Sequence, residues 1–211
     1  SKDVEKYAKE WWLHSKPRSK FRPALDQLDR FVVSSRTARH RIFSFASSTT
    51  LPETKVLIVA LSNAEHLAIL SSAVHLLFAD FAGGRHGVGN DLTYNHTECF
   101  DKFPFPVPRK EACARLRVLG EELDAHRKRQ QAAHPALTLT GIYNVLEKLR
   151  AGEPLNEKER AIHEQGLVSV LRQLHDEIDA AVLEAYGWSD LLPLLRIAHG
   201  NDQPDHPAGC S

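Results

Sequence analysis

The chain has 211 residues, with 27 Lys and Arg balancing 27 Asp and Glu, and it is 42% hydrophobic and 26% charged. That length carries a sizeable core in one or two domains, and the composition is that of a soluble globular protein rather than a disordered or disulfide-rich one. No apolar run approaches the roughly 20 residues that span a bilayer, and no basic-then-apolar leader opens the chain, so a cytoplasmic protein without membrane contact is expected. Cys99, Cys113 and Cys210 are widely spaced and form no Cys-x-x-Cys pair, which reads as reduced, incidental thiols. Methionine is absent even from position 1, and the expectation is a piece of a longer protein.

In chain order, Val4 to His14 has helical spacing until Pro17, and Arg22 to Arg30 reads as a short helix with Pro23 in its first turn. Phe31-Val32-Val33 and the alternating Arg41 to Ala46 read as strands, and the continuous run Val56 to Leu61 as a buried central strand. Asn63 is placed to cap a helix from Ala64 to about Ala82, which Gly83-Gly84 ends. Leu92-Thr93-Tyr94 reads as a short extended piece. Pro104, Pro106 and Pro108 mark a boundary, after which the pattern is helical. Lys110 to about Gln131 carries a stripe of Leu116, Leu119 and Leu123. Thr140 is placed to cap a helix through Leu149, and Asn156 starts one from Glu157 to about Tyr186. The polar residues after Leu195 suggest a disordered tail. The expected fold class is α+β: a small mixed sheet with flanking helices over residues 1–108, including a helical lead-in at 1–30, then a helical domain at 109–195 and a tail at 196–211.

The most informative stretch runs from Phe81 to Pro106. A glycine-rich loop (Gly83, Gly84, Gly87, Gly89) leads into a polar run and ends at Phe103-Pro104-Phe105-Pro106. Glycines permit close backbone approach to another surface, while Phe-Pro-Phe-Pro is stiff and apolar. Phe100, Phe103 and Phe105 are expected to pack and fix the exit of this loop. Ahead of it lies a basic stripe: Lys16, Arg18, Lys20, Arg22, Arg30, Arg36, Arg39 and Arg41, opposed only by Asp26 and Asp29. Local field matters more than total charge for phosphate binding, although such a run reads equally as solvated surface.

Catalytic signatures are missing from the sequence. The twelve histidines include no i, i+4 pair and no ligand-spaced Cys/His cluster, so no metal is expected. The glycine loop follows a helix, unlike a dinucleotide fingerprint. His75 reads as packed, His163 and His175 as helix surface, and Asp176, Glu177 and Asp179 as solvated carboxylates. Recognition remains. Arg, Asn, Asp, Thr and His between Arg85 and His96 are residue types that read base edges. Arg36, Arg39, His40 and Arg41 are types that hold phosphates and set register.

These residues carry a family resemblance. Arg-Thr-Ala-Arg-His-Arg-Ile-Phe (36–43), Leu-Ser-Ser-x-x-His (70–75), Gly-Val-Gly-Asn-Asp-x-x-Tyr (87–94) and Cys-Phe-Asp-Lys-Phe-Pro-Phe-Pro (99–106), in this order, resemble the target recognition domain of MmeI-like (type IIL) adenine-specific DNA methyltransferases. Leu-Thr-Leu-Thr-Gly-Ile-Tyr-Asn (137–144), Ile-His-Glu-Gln-Gly-Leu (162–167) and Ala-Val-Leu-Glu-Ala-Tyr-Gly-Trp (181–188) resemble the helical segment that follows it. The resemblance covers about Trp11 to Leu195. It implies a bacterial restriction–modification or phage-defence parent that binds S-adenosylmethionine and methylates adenine. It also implies double-stranded DNA and the parent's own methyltransferase domain as partners. On this basis Arg85, His86, Asn90, Asp91, Thr93 and Asn95 are the expected base readers, and Arg36, Arg39, His40 and Arg41 the phosphate contacts. The family's Asn-Pro-Pro-Tyr-type motif and cofactor loop are absent, so no catalysis and no cofactor are expected of this segment itself. The basic tail expected after Tyr-Gly-Trp is replaced by a polar stretch.

Two other readings stand beside this one. A helical interaction module would dock the catalytic domain through a groove between the 110–131 and 157–186 helices, without reading DNA. An independent small enzyme would require a pocket of converging titratable groups, and none is visible in the sequence.

Overall fold

The computed structural model describes residues 22–53, 55–86 and 91–198. The expected Val4–His14 helix, Cys210 and most of the expected tail therefore lie outside the described residues. The α+β architecture is as expected, but among the described residues the strands pair only antiparallel, not in the mixed sheet expected.

A one-turn helix α1 (Arg22–Leu25) precedes β1 (Arg30–Ser35), β2 (Ser44–Ser47) and β3 (Val56–Val59), in the sheet order β2-β1-β3. The helix expected to run to Arg30 thus stops at Leu25. The second strand starts at Ser44 rather than Arg41. The expected central strand at Val56–Leu61 is an edge strand, and β1 is central. The unbroken apolar run of β3 has another cause, since both of its faces are covered. Leu57 and Val59 join Val32, Phe45, Leu67 and Leu70 in one cluster. Ile58 meets Leu25 and Phe31 on the other side. Continuous apolar sequence reports two-sided burial, not position in the sheet.

The single helix expected over 64–82 is two: α2 (Ala64–Ser71) and α3 (Ala73–Ala82), bent by 61°. Ser72 closes one and opens the other. Its Oγ donates to the Ile69 carbonyl at 2.7 Å and accepts from the His75 N–H at 3.3 Å. Serine competes well for such cap positions. Asn63 occupies the first cap position without a side-chain cap bond. Among the described residues no single helix is long and apolar enough to cross a membrane.

A hairpin follows, β4 (Gly84–His86) against β5 (Asp91–Thr93), then a π-helical turn at His96–Phe100. Of the expected glycine-rich loop, Gly83 caps α3 and Gly84 opens β4, while Gly87 and Gly89 lie outside the described residues. Gly83 serves the fold rather than a ligand, because a Cβ there would lie 2.6 Å from the Ala79 carbonyl and 2.9 Å from that of Thr93. The Phe-Pro clamp packs as expected. Phe103 stands 5.0 Å from Phe105 and 5.4 Å from Phe78, edge-on, and Phe100 stands 5.5 Å from Phe105.

The helical half comprises α4 (Lys110–Ala133), α5 (Leu139–Arg150), α6 (Glu157–Gly166), α7 (Val168–Tyr186) and α8 (Leu192–Ala198). The α4 stripe Leu116, Leu119 and Leu123 is buried in a core with Ala68 and Ile69 of α2 and Leu171, Ile178 and Val182 of α7. The groove expected between α4 and the 157–186 helix is filled, because α4 and α7 pack directly on each other. Thr138, not Thr140, caps α5, accepting from the Gly141 N–H at 3.1 Å. Asn156 and Glu159 form a reciprocal capping box. The long helix they open breaks at Leu167, whose φ of 43° is left-handed. The break sets Gly166 against Ile142, where a Cβ would come within 3.3 Å, and the His126 Nε2–H donates to the Gly166 carbonyl at 3.1 Å. The chain stays helical to Ala198, past the expected start of the tail.

Side chains bond to outward backbone groups on both edges of the sheet. On β2, the Phe45 N–H donates to Asp124 Oδ1 at 3.0 Å, and Lys128 Nζ donates to the Phe45 carbonyl at 2.9 Å. Arg127 Nη1 donates to the Phe43 carbonyl at 2.7 Å. On β3, the His96 Nε2–H donates to the Ile58 carbonyl at 3.1 Å. Helix α4 reaches its place because Gly120 has no side chain, as a Cβ there would lie 2.0 Å from the Ala64 carbonyl. Gly120→Ala is expected to destabilise the fold by roughly 1–3 kcal/mol through overpacking. The readout is a lower urea midpoint at unchanged m-value, and an unchanged midpoint would show that α2 and α4 separate at no cost.

Candidate functional site

The segment joining β1 to β2 carries the basic candidates, and the structure sets it beside the hairpin. Thr37 bridges to Thr93 of β5, and the Tyr94 N–H donates to the Arg36 carbonyl at 3.0 Å. The proposed phosphate set and the proposed reading window, some fifty residues apart in sequence, are thus neighbours.

Within the basic segment the four candidates differ. Arg36 is exposed. Arg39 is exposed but its Nη2 lies 2.7 Å from Glu147 Oε2 on α5. His40 Nε2–H donates to Asn144 Oδ1 at 2.7 Å, which fixes its tautomer, and the ring lies 6.0 Å from that of Tyr143. Arg41 folds back over its own segment. Its guanidinium donates to the Ser35 carbonyl and sits 5.2 Å from the centre of the Tyr94 ring. Burial pulls its pKa down. Arg36 and Arg39 thus face solvent, while His40 and Arg41 bind the segment to α5 and to Tyr94.

Among the base-reading candidates, the backbone of Arg85, His86 and Asp91 lies in the hairpin, with Arg85 opposite Leu92 and His86 opposite Asp91. Their side chains, and Asn90 entirely, lie outside the described residues. Thr93 has a buried Oγ1 without a hydrogen-bond partner. Asn95 caps the π-helical turn, with its Oδ1 accepting from the Thr97 N–H at 3.1 Å and the Thr97 hydroxyl at 2.9 Å. That local role engages the oxygen that a base contact would use.

Residues to which the sequence assigned no site role complete the site. The Tyr94 hydroxyl is buried against His75, whose Nδ1–H donates to the Leu70 carbonyl at 2.8 Å, leaving Nε2 to accept from Tyr94 at 3.0 Å. The Phe43 ring lies 5.4 Å from His75 and 5.7 Å from Tyr94. Burial lowers the His75 pKa to about 4 and raises that of Tyr94, so both are neutral. His75 is packed, as expected. His175 and Asp179, expected on the helix surface, are buried at 5% and 3% exposure. Tyr143 donates to His175 Nε2 at 2.7 Å, and Asp179 Oδ1 accepts from the Ala73 N–H at 2.6 Å, tying α7 to the start of α3. Burial raises the Asp179 pKa to about 7 against the pull of that N–H and of Arg150. Tyr94, Tyr143, His175 and Asp179 are among the residues lining a cavity of about 630 Å³ between the β-half and the helical half. The expectation that no pocket gathers titratable groups is therefore corrected: Arg39, His40, Tyr143, Arg150, His175 and Asp179 all line this one.

Asp179 and His75 give opposite pH dependences. Native Asp179 keeps its proton to about pH 7 and the unfolded group loses it near 3.8, so its contribution to stability falls as pH rises between those values. Native His75 stays neutral down to about 4 while the unfolded group protonates near 6.5, so its contribution is lost as pH falls through that window. From about pH 4 to 6.5 the two slopes cancel. Asp179→Asn keeps an oxygen for the Ala73 N–H and removes one slope. The variant is expected to gain stability relative to wild type as pH rises from about 4.5 to 6.5, by up to ~1.4 kcal/mol per pH unit. Urea unfolding at the two pH values measures this, and parallel profiles would contradict it.

No family model matches the sequence, and no curated protein matches it. Among solved structures, the fold is similar to part of the type IIL restriction-modification enzyme MmeI, whose structure was determined in complex with DNA. The TM-score is 0.59 at 16% sequence identity, covering 82% of this chain and 20% of that one. The chain spans about a fifth of the length of MmeI, and the likeness is one of fold.

Proposed function

We propose that this chain is the DNA target recognition portion of a restriction–modification methyltransferase. The observation that carries the reading is the shared fold with a region of an enzyme captured on DNA. The contact between the Arg36–Arg41 segment and the β4–β5 hairpin supports it, since a duplex needs a cationic support for its backbone next to an element that enters a groove. In this reading Arg36 and Arg39 hold phosphates, and His40 and Arg41 set the shape of the segment. Arg85, His86, Asn90 and Asp91 read bases, while Thr93 and Asn95 position the foot of the hairpin. S-adenosylmethionine binds elsewhere in the parent protein, on the methyltransferase domain. The exposed Val118, Val170 and Leu194 on the helical half favour a docking role for that half alongside DNA reading.

Binding is expected to weaken with salt, because phosphate contacts release counterions. Arg36→Ala and Arg39→Ala should each weaken binding to all duplexes alike and lower the salt slope by about 1. Asp91→Ala should change sequence preference at an unchanged slope. Fluorescence anisotropy against a selected site and scrambled duplexes separates these effects. The assignment fails if all three variants bind the selected site as wild type does.

A further inference from the structure

Two side chains of α5 hold the basic segment, and they hold it differently. Asn144 and Glu147 stand three residues apart, as neighbours on the helix surface. Asn144 Oδ1 accepts from His40 Nε2 at 2.7 Å, and the His40 side chain is only 15% exposed. Glu147 Oε2 accepts from Arg39 Nη2 at 2.7 Å, with 66% of the arginine side chain and 55% of the glutamate side chain exposed. The first bond is shielded from water, and its acceptor is an uncharged amide. The second is an ion pair in solvent, and such a pair shifts an equilibrium by no more than about fivefold. The segment therefore has a fixed post at His40 and a loose catch at Arg39.

The catch lies on a residue assigned above to a phosphate. Among the described residues, Glu147 is the one carboxylate within ion-pair distance of Arg39, and exposed Arg36 pairs with none. Arg41 is committed to the Ser35 and Arg36 carbonyls and to the Tyr94 ring. Before DNA arrives, the segment thus presents Arg36 with its charge uncancelled and Arg39 with its charge opposed by Glu147. A guanidinium pairs in the same manner with carboxylate and phosphate oxygens, so the two anions compete for one side chain. The duplex has the advantage, since a phosphate contact releases a condensed counterion and an internal ion pair does not. We propose that Glu147 occupies Arg39 in the free protein in place of a backbone phosphate, and that DNA takes the arginine from it. The His40–Asn144 bond keeps the segment in position while Arg39 changes partner. Glu147 is thus a brake on DNA affinity carried by the helical half. It acts on every sequence alike, because phosphate contacts carry no sequence information. The proposal rests on the DNA-binding reading above.

Glu147→Gln keeps the size and helix propensity of the side chain and removes its charge. It is expected to tighten binding to the selected site and to scrambled duplexes alike, by about two- to fivefold in fluorescence anisotropy at low salt. The gain should shrink as added salt screens the exposed pair, a dependence that a merely structural role would not produce. In the Arg39→Ala background, Glu147→Gln should give no gain, because the brake acts through that arginine. Unchanged or weaker binding by Glu147→Gln overturns the proposal. An equal gain with and without Arg39 also overturns it, since Glu147 would then simply repel the duplex. Weakened binding in Arg36→Ala beside unchanged binding in Glu147→Gln leaves the DNA-binding reading standing and removes this one. Wild-type protein that binds no duplex removes both.

Discussion

One face of α4 sets the relation between the two halves. Gly120, Asp124 and Arg127 follow one another at helical spacing, with Lys128 beside them. The missing side chain at 120 lets the helix axis come close to α2. That approach brings the next two turns within reach of β2, where an acid takes the Phe45 N–H and two cations take the Phe43 and Phe45 carbonyls. Strand β2 is thus finished by a helix where a further strand would otherwise pair. Because β2 also ends the basic segment, the position of Arg36–Arg41 depends on the same contact. The other face of α4 buries its leucines against α7, so one helix serves the sheet and the bundle together.

Much of this architecture was legible because its causes are local. The leucine stripe of α4, the Asn156–Glu159 box and the apolar β1 run each act within a few residues. The departures have causes far away in sequence. The break at Ser72 is joined by Asp179, which takes the N–H of Ala73, 106 residues away in sequence. That same bond explains the burial of Asp179, which helix periodicity alone placed with solvated acids. Leu167 gives no warning of its left-handed turn, since glycine or asparagine is the usual signal. The order of strands in the sheet was equally hidden, because two-sided burial looks the same at an edge as at the centre.

For the site, the residue types were legible and their partners were not. Arg39 and Glu147 are separated by 108 positions and His40 and Asn144 by 104, so no window in the sequence could divide the basic segment into exposed and engaged members. Asn95 has a side chain suited to a base edge and spends its oxygen on its own turn, a use of asparagine that is common at such caps. The cavity draws on five separate stretches of chain and could emerge only from the fold.

The side-chain bonds at the edges of the sheet bear on how this protein behaves at high concentration. Unpaired strand edges are templates for pairing with other chains, and they drive self-association and fibril growth. Here the outward Phe45 peptide is held by Asp124 and Lys128, and the outward Ile58 carbonyl by His96. An incoming strand would have to displace Asp124 and Lys128 to pair with Phe45, and His96 to take the Ile58 carbonyl. Each edge of the sheet thus carries a side-chain partner at the point where an added strand would begin to pair, which works against the aggregation that short strands rich in β-branched and aromatic residues favour.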